Sequence, residues 1–318
     1  MIQLLYMSGT FPASKKTKVT VIGAGRVGIT AAFTMYLKNT AQEIMLYGRD
    51  KDKLIGEQLD FMHSLSFLGT THITVGNEPV DLVGSDIIVF TAGVAQEPGE
   101  TRLDLVKKNS TILESIIPDV LTNAPDSIIL IVANPVDILT YRAVVTTKLP
   151  RGRVFGSGTT LDTARFRFHL SEYLEVNPKS VHAYILGEHG DSSFPTLSSA
   201  NVGGQLITTM KGFSHEKALE AYAKARDAAY KIIAAKGATY YAIGVVINQL
   251  VHAILTDAGR VYPLSVALEG EYGYTGIALS VPCVLGREGI ERVIEIPLSE
   301  EEKLKLQLSV ETLKKYII

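Results

Sequence analysis

Apolar positions along the first half of the chain follow two alternating rhythms. Short β-branched runs at 18–22, 44–47, 73–75, 87–91 and 128–132 are separated by stretches at 27–38, 51–65 and 103–123 with helical spacing. Continuous apolar runs predict strands buried on both faces of a parallel sheet, and the longer period predicts helices covering it. Strand, helix, strand in repetition, joined by right-handed crossovers, predicts an α/β chain with a Rossmann-type doubly wound parallel sheet.

The rhythm changes near residue 150. Helical patterns at 161–174, 216–236 and 240–256 are interspersed with strand-like segments at 181–186, 261–268, 277–285 and 293–296, between Gly-rich turns. An amphipathic, charge-rich helix is expected over 299–318. The second half therefore reads as α+β, giving a division into residues 1–16, 17–150 and 151–318. The first of these reads as a frayed extension, because Lys15 and Lys16 follow its mildly apolar start instead of leading it as in a signal peptide. The small residues Ala221, Ala225, Ala228 and Ala229 form one helix face, equally consistent with core or with a subunit contact.

Composition narrows the function classes. A 318-residue chain with 46% hydrophobic content can bury a large core, and its net charge of −2 offers no general attraction to nucleic acid or anionic lipid. No apolar run reaches the roughly 18–20 residues of a membrane span. Cys283 stands alone, which excludes an intrachain disulfide and suits a reducing cytoplasm. The expected partner is thus a small molecule, with neither nucleic acid nor membrane involved.

Gly23-Ala24-Gly25-Arg26-Val27-Gly28 lies between a predicted strand and a predicted helix. Gly23 permits a tight turn, Gly25 lets a pyrophosphate approach the backbone, and Gly28 allows close helix–strand packing. That context predicts a dinucleotide-binding unit over 17–150. About 20 residues past the last glycine such units carry an acid for the adenosine ribose. Here the position is Gly48, followed by Arg49. Loss of the anion and gain of a guanidinium would accommodate a ribose 2′-phosphate, so NADP joins NAD as a candidate cofactor. The alternatives are that Asp50 or Asp52 reaches the ribose hydroxyls, or that Arg49 only faces solvent.

The candidate reactive group is His189, within Leu186-Gly187-Glu188-His189-Gly190-Asp191-Ser192. One histidine between glycines, with no cysteine nearby, lacks the ligand set of a metal site and suits proton transfer. Four further segments accompany it. These are Val94-Ala95-Gln96-Glu97-Pro98-Gly99-Glu100-Thr101-Arg102, Val132-Ala133-Asn134-Pro135-Val136-Asp137, Leu161-Asp162-Thr163-Ala164-Arg165-Phe166 and Thr239-Tyr240-Tyr241-Ala242-Ile243. In this order, from about Lys18 onward, they resemble the L-lactate dehydrogenases of the lactate/malate dehydrogenase family.

The resemblance implies catalytic roles for His189 as acid and base, Asp162 as its orienting partner and Arg102 as the group polarising the substrate carbonyl. It implies substrate binding by Arg165, Gln96, Asn134 and Thr239. It also implies cofactor contacts from Gly23, Gly25, Val27, Gly28, Gly48, Arg49, Thr91, Ala92, Gly93, Val132, Asn134 and Ile243. Residues 151–318 become the substrate and catalytic unit. The loop 95–102 is expected to close over substrate, with Gln96 at the specificity position where malate dehydrogenases carry arginine. An uncharged Gln96 leaves a second substrate carboxylate without a counter-ion, which favours pyruvate and lactate, and Thr239 points the same way. Arg167 and His182 match an anion site of bacterial fructose-1,6-bisphosphate-activated enzymes, which implies that activator and a homotetramer. Two other readings remain: a malate or bulkier 2-hydroxy-acid dehydrogenase, and a non-catalytic dinucleotide-binding protein.

Overall fold

In the computed structural model the described residues are 16–95 and 100–317. Residues 1–15 of the expected extension and the loop residues 96–99, Gln96 included, lie outside them. The first half alternates β1 (Lys18–Ile22), α1 (Arg26–Lys38), β2 (Glu43–Tyr47), α2 (Lys51–His63), β3 (His72–Gly76), β4 (Ile87–Phe90), α3 (Arg102–Asn123), β5 (Ile128–Ile131), α4 (Val136–Thr147) and β6 (Val154–Gly156). The second half continues with α5 (Thr160–Leu174), β7 (Val181–His182), β8 (Ile185–Leu186), β9 (Phe194–Pro195), β10 (Asn201–Val202) and β11 (Gln205–Leu206). It closes with α6 (His215–Lys236), α7 (Tyr241–Leu255), β12 (Arg260–Glu269), β13 (Thr275–Gly286), β14 (Gly289–Val293) and α8 (Glu300–Lys314).

Strands β1 to β6 are parallel, in the order β3-β2-β1-β4-β5-β6, and antiparallel β12, β13 and β14 extend the same sheet beyond β6. Alternation explains why both faces are dry. Ile87, Val89, Ile128 and Leu130 point into one apolar cluster with α1, α7 and α8 residues. Their neighbours Ile88, Phe90, Ile129 and Ile131 point into a second cluster with Leu113 and Ile117 of α3 and Leu139 of α4. The chain reverses winding between β1 and β4, and the carboxyl ends of these strands open the crevice where such sheets bind ligands.

Three local expectations need correction. The run 181–186 is not one strand: β7 pairs with β10 whereas β8 pairs with β9, so the segment turns between them. The last strand is Gly289–Val293, and 293–296 leaves it as an extended connection. Helix α4 and strand β6 were absent from the pattern. The first is apolar around most of its circumference because sheet and α3 enclose it, and the second is only three residues long. Ala221 and Ala225 are core residues of a satellite cluster between α5 and α6. Among the described residues no helix is long and apolar enough to cross a membrane.

Candidate active site

The glycine turn has the geometry its sequence demands. Gly23 adopts φ +109°, and a Cβ there would lie 2.6 Å from the Ala92 nitrogen. A Cβ on Gly28 would lie 2.0 Å from the Gly23 carbonyl oxygen. Gly25 instead faces open space, and it caps α1 without any side-chain hydrogen bond. The N-cap residue thus offers no side chain to the first N–H groups of α1, and the helix end favours an anion. Thr91 welds β4 to this turn, its hydroxyl donating to the carbonyls of Ile22 (3.0 Å) and Gly23 (2.9 Å).

A cavity of about 280 Å³ opens at the turn, lined by Ala24, Gly25, Arg26, Lys53, Glu57 and Tyr240 among others. Open backbone at Gly25 and cations at Arg26 and Lys53 fit the pyrophosphate of a dinucleotide. Val27, Val132 and Ile243 are partly buried against the main core, and Thr239 is half-buried in the turn between α6 and α7. A larger cavity of about 600 Å³, between Tyr272, Tyr274 and the start of α8, contains none of the expected site residues.

At the end of β2, Gly48 is held by donation of its N–H to the Gly76 carbonyl at 3.1 Å. A Cβ there would meet nothing closer than Leu54 at 3.8 Å, so the missing acid is not a steric necessity. Asp50 is occupied as the N-cap of α2, accepting from the Lys53 N–H at 3.1 Å, and Arg49 is exposed.

The proton-transfer cluster is assembled from both halves. His189 Nδ1 lies 2.6 Å from Asp162 Oδ2, and Arg165, one helical turn along α5, donates to Asp162 Oδ1 at 3.2 Å. Arg165 Nη2 is buried and has no hydrogen-bond partner among the described residues. A guanidinium edge left open beside an imidazole is a ready receptor for a carboxylate. For His189, burial disfavours the charged ring. The Asp162 charge and hydrogen bond, helped by the Asp137 charge, outweigh that and lift the imidazole to about 9. Burial likewise opposes ionisation of Asp162, but His189 and then Arg165 hold its carboxyl below the usual range.

The loop carrying His189 is fastened by three helices besides α5. The His189 N–H donates to Asp137 Oδ2 of α4 at 2.7 Å. The Glu188 N–H donates to Ser309 Oγ of α8 at 3.2 Å, and that hydroxyl donates to the Ser192 carbonyl at 2.5 Å. Tyr222 of α6 donates to the Ser193 carbonyl at 2.5 Å. Arg102 opens α3, where Thr101 and Asp104 form a capping box. Its guanidinium is paired with the buried Glu188 and lies over the Tyr316 ring, 5.1 Å from the centroid.

Asn109, which the sequence reading missed, is buried and ties two loops together. It accepts from the Val94 N–H at 2.8 Å and donates to the Val94 and Asn134 carbonyls at 3.1 and 2.7 Å. Its side chain would also lie 3.2 Å from a Cβ on Gly93. Asn134 Oδ1 accepts from the Val136 N–H at 3.3 Å, so the side-chain NH₂ is what Asn134 can offer a ligand. Farther along α5, Arg167 donates to the Ala183 carbonyl at 2.8 Å and lies over the Tyr184 ring, while adjacent His182 is exposed.

An imidazole bonded to a carboxylate beside an open guanidinium edge, in a chain whose parallel sheet opens a dinucleotide cleft, is the site of a nicotinamide-dependent oxidoreductase. Residues 17–156 match the NAD binding domain of lactate/malate dehydrogenase, and residues 159–318 match the alpha/beta C-terminal domain of lactate/malate dehydrogenase. An L-lactate dehydrogenase of Synechococcus sp. (strain JA-3-3Ab) is 44% identical over 301 residues, covering 94% of this chain and 98% of that one. That of Lacticaseibacillus casei is 43% identical over 304 residues, covering 94% and 93%. The crystal structure of a minor L-lactate dehydrogenase from Enterococcus mundtii superposes with a TM-score of 0.92 at 38% identity, covering 95% of this chain and 98% of that one. The chain belongs to the lactate/malate dehydrogenase family.

Proposed function

We propose that the chain is an L-lactate dehydrogenase that interconverts pyruvate and L-lactate with His189 as acid and base. The observation that carries this reading is the buried Nη2 of Arg165, which has no hydrogen-bond partner among the described residues, beside the Asp162–His189 pair. The bound nicotinamide dinucleotide supplies or accepts the hydride. Arg165 holds the substrate carboxylate with parallel N–H···O bonds, which fixes the ketone carbon relative to the ring nitrogen of His189. Asp162 engages Nδ1, so Nε2 is the nitrogen that donates to the developing alkoxide and later recovers the proton. Asn134 contributes its NH₂ to the same oxygen. Arg102 exchanges Glu188 for the polarised carbonyl, and Thr239 and Gln96 set the preference for a substrate that carries a methyl group.

Cofactor contacts fall to Gly23, Gly25, Val27, Gly28, Thr91, Ala92, Gly93, Val132, Asn134 and Ile243. Gly48 and Arg49 open the ribose end to a 2′-phosphate, so NADPH is accepted beside NADH. Space at Gly48 and the capping duty of Asp50 support this over a ribose contact from Asp50. Arg167 and His182 provide the cationic half of a fructose-1,6-bisphosphate site in a homotetramer. Exposed Phe33 and Leu37 of α1, with Ile55, Leu59 and Met62 of α2, support self-association, being apolar at helical spacing. Initial rates for pyruvate and oxaloacetate with each reduced cofactor test the reading. Pyruvate turnover with little oxaloacetate turnover is expected, and the reverse ratio refutes it.

A further inference from the structure

Asp137 has no part in the proton transfer just described, yet it grips the residue that performs it. It is the second residue of α4 and only 3% exposed, and its Oδ2 accepts the His189 backbone N–H at 2.7 Å. An acid in the first turn of a helix is favoured by the free N–H groups there, which accounts for its tolerance but not for its contact with the histidine. Burial pushes its carboxyl up to about 6. The Ser265 hydroxyl of β12, the His189 N–H and the imidazole charge pull it down, while Glu188 adds to the rise. The charges facing the imidazole come from Asp162 and Arg165 of α5 and from Asp137 of α4. Glu188 belongs to the same loop and is paired with Arg102 of α3.

We propose that Asp137 is a positioning residue for His189, clamping its main chain from α4 and, as a carboxylate, holding the proton on the imidazole. The use of that proton in ketone reduction rests on the lactate dehydrogenase reading, but the coupling of the two side chains does not. Asp162 and Asp137 divide the task. Asp162 bonds the ring and selects the nitrogen that reacts, whereas Asp137 fixes where the backbone presents the ring and adds a second anion behind it. Asp137→Asn keeps an oxygen acceptor for the N–H and removes the charge, whereas Asp137→Ala removes both.

The experiment is a titration of the full chain labelled with ¹³C in histidine and aspartate, with His189 assigned by its loss in His189→Gln. In Asp137→Asn the His189 midpoint is expected to fall by about one pH unit. The alkaline limb of kcat/KM for pyruvate should fall by the same amount. In Asp137→Ala, kcat should drop further than KM rises, because the N–H loses its acceptor. In the wild type, the Asp137 carboxyl signal should show a second inflection at the His189 midpoint, a reading that needs no variant to fold. An unmoved midpoint in Asp137→Asn, or no second inflection in the wild type, overturns the proposal. A wild type that shows the coupling but never reduces pyruvate would overturn the assigned function and leave the coupling standing.

Discussion

His189 Nδ1 and Asp162 Oδ2 are 2.6 Å apart, although they come from different segments of the second half, 27 positions apart in the chain. One carboxylate oxygen fixes the ring while the other binds Arg165, so a single aspartate orients both the proton donor and the substrate anchor. The pH dependence follows from this shared anion. The imidazole is raised to about 9, so the charged form needed for pyruvate reduction is retained at neutral pH and lost as pH rises through about 9. Lactate oxidation, which needs the neutral ring, gains over the same range. The linkage to stability has the same sign: the raised histidine contributes fully below about pH 6.5, and the contribution fades as pH climbs through about 9. Asp162→Asn should move the alkaline limb down and lower kcat by about 10²–10⁴-fold, read from pH–rate profiles in both directions.

Arg165→Lys tests the open guanidinium edge. A lysine retains the charge but cannot present two parallel donors to a carboxylate. The expected loss is about 1.5–3 kcal/mol in transition-state stabilisation, roughly 10- to 150-fold in kcat/KM for pyruvate. Steady-state kinetics measure it, and unchanged kcat/KM would count against Arg165 as the anchor.

Gly48→Asp restores an acid at the end of β2, where a side chain meets nothing nearer than Leu54 at 3.8 Å. The added anion should repel a 2′-phosphate and accept a ribose hydroxyl, raising the NADH-to-NADPH ratio of kcat/KM by about tenfold or more. An unaltered ratio would remove Gly48 from the account of cofactor choice.

Gln96→Arg should shift preference toward oxaloacetate by supplying the counter-ion that a second carboxylate needs in a desolvated site. Competing pyruvate and oxaloacetate assays report the ratio. Equal ratios in wild type and variant would refute a specificity role for this position.

Fructose 1,6-bisphosphate at millimolar concentration should lower the apparent KM for pyruvate near neutral pH, and Arg167→Ala should abolish the response. Burial depresses the proton affinity of the Arg167 guanidinium, and a bound phosphate would compensate that desolvation. Identical kinetics with and without the effector would exclude an activating anion at Arg167 and His182.

Much of this molecule was legible from local pattern. The strands β4 and β5 announce themselves because burial on both faces forces continuous apolar runs, and β1 because every residue after Lys18 is β-branched. The glycine turn is legible because Gly23 must adopt φ +109° and Gly28 must sit against a carbonyl, demands that other residues cannot meet. What was hidden depends on distant partners. Asn109 reads as an ordinary polar helix position until folding brings it to Asn134, 25 residues away, and Ser309 until it meets Glu188, 121 residues away. Asp137 was visible only as part of a motif, since its duty is to a backbone N–H that carries no side-chain signature. Helix α4 escaped for a related reason: enclosure between sheet and α3 erases the polar stripe that marks a surface helix.

The hydroxyl of Ser309 has a bearing on how the enzyme is made. Translation runs from the amino end, so the loop bearing His189 acquires this brace only when Ser309 of α8, 121 positions past Glu188, has been made. Chains ending ahead of residue 309 lack the brace and are expected to turn over substrate more slowly than the full chain, which initial-rate assays of shortened variants would measure.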